Sequence, residues 1–188
     1  MTNKVMFLSN YCMNINTEIF YFINNNLSNP LCDFVMPQFT NLGGFTGLLI
    51  VCLLAILICR HYGKDRYLEI SKLCLYALLL SAGIVLCLKL GIVEDRPFKA
   101  LGHVHQLVSP TEPNSFPSGH TSSTFSVVTV LVDQLWQRKV LVVVLIIFSV
   151  LLAFSRVYCG VHYPLDVFVG AMVGILSGIL VLKIVNVS

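Results

Sequence analysis

The stretch SRVYCGVHYPLD, residues 155–166, places three chemically active side chains between two long apolar runs. Arg156 carries a planar guanidinium whose forked N–H groups match the oxygens of a phosphate group. Pro164 is typical of the first position of a helix, so Asp166 is expected in the first turn and within reach of His162. A carboxylate bonded to one imidazole nitrogen fixes the tautomer and leaves the other nitrogen free as a base or nucleophile. A plain capped helix would explain Asp166 but not the other two residues.

A second cluster, KLGIVEDRP at residues 89–97, supplies two more cations. Lys89 and Arg96 are seven residues apart, so a helix that continued through both would place them on one face before the following proline ends it. For Lys89 alone, a side chain that reaches the membrane interface from a helix end is an equally good interpretation. Glu94 and Asp95 lie in the same stretch and are interpreted as solvated loop charges.

A third cluster, NSFPSGHTSS at residues 114–123, has the composition of a helix start. Ser118 is a good N-cap, and the helix after it would offer unpaired N–H groups and the positive end of its dipole to an anion. Gly119 lets the backbone approach a ligand closely, and His120 falls in the first turn. An ordinary capped helix with an interfacial histidine is the alternative interpretation.

The composition predicts the kind of scaffold that positions these clusters. The chain is 56% hydrophobic and 11% charged, whereas soluble domains average about 45–50% apolar and roughly 25% charged residues. A spanning helix needs ~20 mostly apolar residues, and five segments approach that length. We therefore predict an all-α, polytopic membrane helix bundle with five transmembrane helices, and six as the alternative. The five segments are 41–59, 73–93, 118–136, 140–155 and 164–185.

Residues 1–40 are predicted as an N-terminal interfacial segment ahead of a transmembrane domain at 41–188. The stretch TEIFYFINNNLSNP predicts a short interfacial helix that Thr17 caps and Pro30 ends. The following PLCDFVMPQFTN is either irregular or a second short interfacial piece. The first residues lack a continuous apolar run, so a cleaved signal peptide is not expected.

Basic residues in the loops predict the orientation of the bundle. They lie between the first two spans, between the third and fourth, and near the C-terminus: Arg60, Lys64, Arg66, Lys72, Arg138, Lys139 and Lys183. The positive-inside rule places these regions in the cytoplasm, so the three polar clusters share the outer end of the bundle. Each cluster has an ordinary structural interpretation, but the three together do not. They predict an outer site that binds a tetrahedral oxyanion and transfers it.

Three glycines in the fifth segment, Gly170, Gly174 and Gly178, recur every four residues in line with Asp166. Small residues at this spacing let helices pack closely in lipid, which predicts that this face turns into the bundle.

Other features argue against alternative classes of site. His103 and His105 without further ligands are weak evidence for a metal site and are interpreted as part of a surface loop. The seven cysteines include no C-x-x-C pair, so neither a zinc site nor a redox pair is expected. The net charge of +3 is too small, and its carriers too scattered, to indicate nucleic-acid binding.

The three clusters resemble the signature motifs of the type 2 phosphatidic acid phosphatase (PAP2) superfamily. The motifs are K-x6-R-P at residues 89–97, P-S-G-H at 117–120 and S-R-x5-H-x3-D at 155–166, and their order and internal spacings fit in full. No motif covers the first 40 residues. The resemblance implies a phosphatase that hydrolyses a phosphate ester or diphosphate through a phosphohistidine, without a metal or other cofactor.

By the same resemblance, His162 is the nucleophile, Asp166 orients it, and His120 protonates the leaving oxygen and later activates water. The implied phosphate-binding residues are Lys89, Arg96, Ser118, Gly119 and Arg156. These roles agree with the general physics of phosphoryl transfer, which depends on positioning and on charge stabilisation. In the sequence, Glu94–Asp95 is the only acidic pair, and no carboxylate cluster suited to Mg²⁺ is present.

A site at the outer interface of a minimal bundle suits a lipid phosphate as substrate. Similarity favours a polyprenyl diphosphate phosphatase, such as one that recycles undecaprenyl diphosphate outside a prokaryotic cytoplasmic membrane. A phosphatidylglycerophosphate or phosphatidic acid phosphatase is the alternative. The five spans argue against the soluble vanadate-dependent haloperoxidases, which share the oxyanion pocket. His120, His162 and Asp166 argue against a non-enzymatic lipid-phosphate transporter or scramblase.

Overall fold

The computed structural model describes residues 14–186, and every element of regular secondary structure in that range is a helix. The prediction of an all-α fold is therefore confirmed. Helix α1 covers residues 14–21 and continues into a π-helical turn at Phe22–Asn26. The following elements are α2 (Pro30–Asn41), α3 (Phe45–His61), α4 (Asp65–Gly91), α5 (Pro97–Ala100), α6 (Gly119–Gln134), α7 (Lys139–Tyr158) and α8 (Pro164–Asn186).

Three of these helices, α4, α7 and α8, are long and apolar enough to cross a membrane. Helices α2 and α3 form a pair bent by 53°, which provides a fourth crossing if the pair is one span. The prediction of a membrane bundle is confirmed, but the first predicted span, 41–59, is wrong at its start because α3 begins at Phe45. The bend falls at a close contact, since a side chain at Gly43 would overlap those of Leu152 and Thr124.

Helix α6 corresponds to the third predicted span but is shorter than a span needs to be. Its 16 residues extend about 24 Å, against a hydrocarbon core of ~30 Å. It lies at the centre of the bundle, packed against α3, α4, α7 and α8. Its buried side chains are mostly small and hydroxylated: Thr121, Ser122, Ser123, Thr124 and Ser126. Because protein surrounds it, α6 needs neither the length nor the apolar surface of a lipid-facing helix.

The glycines of α8 allow it to pack closely on α6. A Cβ atom at Gly170 would lie 2.6 Å from the Ser118 carbonyl oxygen, and one at Gly178 would lie 2.7 Å from Thr129 Cβ. At Gly174, a Cβ atom would overlap the Ser122 carbonyl oxygen. The prediction that this face of α8 turns into the bundle is confirmed, and it carries Asp166 into the protein interior.

The N-terminal segment is more regular than predicted. The helix is already formed at residue 14, so Thr17 lies inside it and does not cap it. The PLCDFVMPQFTN stretch forms α2, whose N-cap Asn29 accepts a hydrogen bond from the Cys32 N–H at 3.0 Å. Residues 1–13, and with them the expectation about a signal peptide, lie outside the described part of the chain.

Two ends of the bundle differ in the elements that meet there. At one end, called the motif end because the three sequence motifs lie there, α4 and α7 finish and α6 and α8 begin. The loops 92–118 and 159–163 join these helices. At the opposite end, α4 and α7 begin and α6 finishes. Since the three motifs lie at the helix ends and loops of the motif end, the topology brings them together.

Candidate active site

The three sequence clusters meet at a cavity of about 630 Å³ at the motif end. Residues from the start of α3, the end of α4, the 108–112 loop and the first turn of α6 form its wall, together with one residue from α7 and one from the loop before α8. Of the predicted site residues, those that line it are Lys89, Arg96, Gly119, His120, Arg156 and His162. Asp166 and Ser118 are fully buried and are not among the lining residues.

His162 is held by Asp166, as predicted from their spacing. The His162 Nδ1 lies 3.3 Å from Asp166 Oδ2, and both side chains are almost completely buried. The same carboxylate oxygen accepts hydrogen bonds from the Tyr163 N–H at 2.9 Å and from the Ser115 hydroxyl. Three donors therefore fix Asp166, which in turn fixes the imidazole.

The protonation of His162 follows from its surroundings. Burial, followed by the positive charges of Arg156, Arg96 and Lys89, lowers the pKa of His162 well below its ordinary value. The ring is therefore neutral, and its single N–H must be on Nδ1, which faces the carboxylate. The Nε2 atom keeps its lone pair and lies 3.3 Å from Arg96 Nη1. A neutral imidazole whose unprotonated Nε2 accepts from a cation of the cavity wall is the form that can attack an electrophile bound at that wall.

Arg96 is fixed by main-chain carbonyls rather than by a helix. A helix that continued from Lys89 to Arg96 is not formed, because α4 ends at Gly91, close to the predicted end of the second span at 93, and Arg96 has an extended backbone. Its Nε donates to the Glu112 carbonyl oxygen at 2.8 Å, and Nη1 donates to the Val161 carbonyl oxygen at 2.9 Å. Folding of the loops, not helical periodicity, places the two cations on one wall.

Arg156 is a second almost fully enclosed cation of the site. It is 4% exposed, and Nη1 donates to the Thr40 hydroxyl of α2 at 2.8 Å. Its Nε is buried without a hydrogen-bond partner within the described residues. A buried guanidinium with an unused N–H is costly, and a phosphate oxygen in the adjacent cavity would satisfy it.

Lys89 reaches the wall from the last turn of α4. Its Nζ donates to the Asn114 carbonyl oxygen at 2.8 Å and lies 3.4 Å from Glu112 Oε2. The Asn114 side-chain amide donates to the carbonyl oxygens of Lys89 and Ile92, at 2.9 and 2.6 Å. Asn114, in the loop before α6, therefore holds the end of α4 and the start of the extended segment that leads to Arg96.

The start of α6 is arranged differently from the sequence expectation. Gly119 and His120 line the cavity. Ser118 is the N-cap residue, but its side chain makes no capping bond, and its Oγ accepts from the Thr121 hydroxyl at 3.0 Å. The Ser118 N–H donates to the Asp166 carbonyl oxygen at 3.0 Å, so it is used in packing α6 on α8.

Three other polar residues of the motif-end loops, Glu94, Asp95 and His105, do not line the cavity. Asp95 is exposed, whereas Glu94 is half-buried, and burial followed by the charge of Asp166 raises the pKa of Glu94 to about 7. His105 pairs with Asp33 at 3.3 Å, away from the cavity wall. Within residues 14–186, no group of three His, Cys, Asp or Glu side chains is arranged to hold a metal ion.

Four residues that contact the site were missed by sequence reasoning: Ser115, Asn114, Thr40 and Glu112. Asn114 and Ser115 precede the P-S-G-H motif by only a few residues, so the sequence could have indicated that they lie near the site. Thr40 lies 116 residues from Arg156 in the chain, and nothing in the sequence links the two.

Comparisons with known proteins place these features in a family. The family model described as PAP2 superfamily matches residues 71–188. The bacitracin transport permease protein BcrC of Bacillus licheniformis is 38% identical over 86 residues, which are 46% of this chain and 41% of that protein. The undecaprenyl-diphosphatase BcrC of Bacillus subtilis is 36% identical over 101 residues, which are 53% and 50% of the two chains. The matched region thus spans half or less of the length of these curated relatives.

A solved structure resembles the whole bundle. It is that of a transmembrane PAP2-type phosphatidylglycerolphosphate phosphatase from Bacillus subtilis. The TM-score is 0.79 at 25% sequence identity, and the match covers 94% of this chain and 87% of the other. The likeness therefore extends beyond the motifs to α2 and α3.

Proposed function

Because the chain belongs to the PAP2 superfamily, we propose that it is a membrane lipid phosphatase that hydrolyses a polyprenyl diphosphate, with undecaprenyl diphosphate as the leading candidate, to the monophosphate. One observation carries this proposal. His162 presents Nε2 to a cation-lined cavity while Asp166 holds its Nδ1. This geometry suits a nucleophile that forms a phosphohistidine.

In the proposed reaction, the Nε2 atom of His162 attacks the terminal phosphorus, and the bond from phosphorus to the bridging oxygen breaks. His120, on the same cavity wall, enters this step as the imidazolium, which the negative charge of the bound diphosphate favours, and gives its extra proton to the leaving oxygen. A water molecule then attacks the phosphohistidine, His120 takes a proton from that water, and the phosphorus–nitrogen bond breaks. Inorganic phosphate leaves, and His162 returns to its neutral form with its proton on Nδ1.

The charge that develops on the phosphoryl oxygens is balanced by three cations. Lys89, Arg96 and Arg156 line the cavity together with Gly119, so the proposed reaction needs no metal ion. Fixed donors in a site with little water stabilise a transition state strongly, because they need no reorganisation as the charge develops. Ser118 is proposed to act by holding the start of α6, since its hydroxyl and N–H have other partners.

The shape of the cavity supports a lipid substrate. Its wall includes Phe45 of α3 and Val85 and Leu86 of α4, next to the cationic end. Leu86 and Thr46, which also line the cavity, are exposed, which supports an opening between the start of α3 and the end of α4. A headgroup can bind the cations while its apolar chain lies between α3 and α4.

The chain is an integral membrane protein, and its sidedness is part of the proposal. Exposed basic residues collect at the opposite end of the bundle, among them Arg60, Lys64 and Lys139. By the positive-inside rule this end faces the cytoplasm, which puts the motif end on the outer face of a prokaryotic cytoplasmic membrane. A substrate left there by extracytoplasmic transfer reactions would reach the site laterally.

Two other functions make distinct predictions. Phosphatidylglycerophosphate hydrolysis is supported by the likeness to the Bacillus subtilis phosphatase. A transport role is suggested by the name of the Bacillus licheniformis relative, a bacitracin transport permease protein. Transport would require no covalent intermediate, whereas both phosphatase proposals require one at His162.

The test is phosphate release by the purified chain with EDTA present. We expect the highest kcat/KM with undecaprenyl diphosphate, compared with farnesyl diphosphate, phosphatidylglycerophosphate and phosphatidic acid in mixed micelles. Acid-labile, base-stable label on His162 after a brief reaction with a ³²P-labelled substrate would support the intermediate. Absence of release from every lipid, or full activity of His162→Ala, would overturn the catalytic proposal, and faster release from phosphatidylglycerophosphate would change the substrate.

A further inference from the structure

Glu112 contacts two of the three cations of the cavity. Its Oε2 lies 3.4 Å from Lys89 Nζ, and its carbonyl oxygen accepts from Arg96 Nε at 2.8 Å. The Lys89 side chain is 12% exposed, whereas the Glu112 side chain is 65% exposed. The carboxylate therefore lies over a largely enclosed ammonium group from the solvent side, at the wall of the cavity.

We propose that Glu112 is a competing counter-ion, whose carboxylate occupies Lys89 in the empty site and must be displaced when a phosphoryl group binds. This inference rests on the proposed function, because it assigns a role to Glu112 in the same cavity. The phosphoryl group is either that of the lipid headgroup or that of the inorganic phosphate product. A carboxylate and a phosphate are both acceptors of negative charge, so they compete for the same ammonium group.

The contacts of Lys89 make such an exchange feasible. Its ammonium group has three N–H donors, and one is used by the Asn114 carbonyl oxygen at 2.8 Å. That bond does not depend on Glu112, so Lys89 stays in place when the carboxylate leaves. The remaining donors then point to whichever anion is present.

The main chain of Glu112 stays fixed while its side chain moves. Its carbonyl oxygen is bound to Arg96, and Pro110 and Pro113 restrict the backbone on either side. The exposed carboxylate can rotate into water without disturbing Arg96. Replacement of the carboxylate by an amide thus changes charge at Lys89 and leaves the loop and the Arg96 contact unchanged.

The consequence is a site that binds phosphate less tightly than its three cations alone would allow. Weak binding of the ground state, and of the product, favours turnover because phosphate must leave before the next lipid binds. Glu112 thus sets the affinity of the cavity for the phosphoryl group, and we expect Glu112→Gln to raise that affinity roughly two- to tenfold.

The experiment measures binding without turnover, on the full chain in detergent micelles. Inorganic phosphate is titrated into the wild type, Glu112→Gln and Asp95→Asn, and the dissociation constant is obtained by calorimetry or from the rise in Tm. Asp95 is the matched control, since it is an exposed loop carboxylate next to Arg96 and has no ion pair within residues 14–186. We expect Glu112→Gln to bind phosphate roughly two- to tenfold more tightly and Asp95→Asn to stay within about twofold of the wild type.

A second arm distinguishes the lipid headgroup from the free product. With a lipid diphosphate as substrate, Glu112→Gln should lower KM and the inhibition constant for phosphate by similar factors, with kcat unchanged or reduced. Equal phosphate affinity in Glu112→Gln and the wild type, an equal gain in Asp95→Asn, or no phosphate binding by any of the three proteins would overturn the inference. If the wild type binds phosphate and Glu112→Gln tightens it, but no lipid is hydrolysed, the inference stands and the proposed function fails.

Discussion

The two ends of the bundle hold the same kinds of cation in opposite ways. At the motif end, Arg96 and Arg156 are 3% and 4% exposed and donate to carbonyl and hydroxyl oxygens of the protein. At the opposite end, Arg138 is exposed, and its Nη2 donates to the Tyr67 hydroxyl at 3.2 Å. Lys139, also exposed, lies 3.7 Å from the ring centre of Trp136.

The difference in burial indicates what the cations at each end do. Exposed cations at a membrane interface cost little, because water and lipid headgroups solvate them, and they serve to orient the chain. Buried cations in a bundle are expensive and are usually functional. The motif end also keeps an unpartnered Nε on Arg156. We therefore expect substitutions at the motif end to reduce catalysis and matched substitutions at the opposite end to leave it unchanged.

The largest effect is expected at the proposed nucleophile. His162→Ala should lower kcat by at least about a thousandfold, because the proposed phosphohistidine forms on this side chain. The matched control is His61→Ala, since His61 is exposed at the opposite end. Phosphate release and phosphohistidine labelling are measured together. Loss of activity in both variants would contradict the contrast between the ends.

The next largest effect is expected from a change of cation type. Arg156→Lys should lower kcat/KM about a hundredfold, because a lysine cannot bind Thr40 and also present a planar fork to phosphate. Arg138→Lys, at the opposite end, should stay within about twofold. Steady-state kinetics of both variants check this, and similar losses in the two would mean that burial does not distinguish the cations.

A smaller effect is expected at Thr40, the α2 residue that positions Arg156. Thr40→Val removes the hydroxyl that accepts from Nη1, and it should lower kcat about three- to tenfold and Tm by about 2–4 °C, because a buried N–H of Arg156 loses its partner. Thr40→Ser should restore activity because it keeps the hydroxyl. Ser71→Ala is the control, since within residues 14–186 that buried hydroxyl bonds to the Tyr67 carbonyl oxygen of its own helix, away from the site. An inactive Thr40→Ser variant would argue that packing, not the hydrogen bond, is needed.

The smallest effect is a pH dependence of stability at the motif end. The pKa of Glu94 is raised to about 7, so the folded chain holds this proton more tightly than the unfolded chain does. Stability from this group is present at low pH and is lost as pH rises through about 7. Glu94→Gln should remove that loss and exceed the wild-type Tm by about 2–4 °C above this range. Thermal unfolding across pH measures it, and Asp95→Asn should behave as the wild type does.

Sequence reasoning succeeded where the signal was local or compositional. The apolar runs predicted a helical membrane bundle, and the four-residue spacing of His162 and Asp166 predicted their contact. The glycine repeat of α8 correctly predicted close packing, because small residues permit few other arrangements. The motifs also agree with the family match over residues 71–188.

Sequence reasoning failed where a contact depended on the path of the loops. Helical periodicity could not explain why Lys89 and Arg96 share one wall, since α4 stops at Gly91 and an extended segment follows. The bend between α2 and α3 was also missed, because the close approach of Gly43 to Leu152 involves residues far apart in the chain. The centrality of α6 could not be inferred from its hydroxyl-rich sequence alone.

By itself, the sequence determined the class of the protein, the approximate bounds of α6, α7 and α8 and the identity of the candidate catalytic residues, because these depend on composition and on short spacings. Only the tertiary structure decided which cations are buried, that Thr40 and Ser115 contact the site, and that Glu112 lies on Lys89. Such pairings form between segments that folding brings together. Whether such a pairing stabilises the protein depends on how deeply it is buried. That burial depends on several segments at once and cannot be read from one of them.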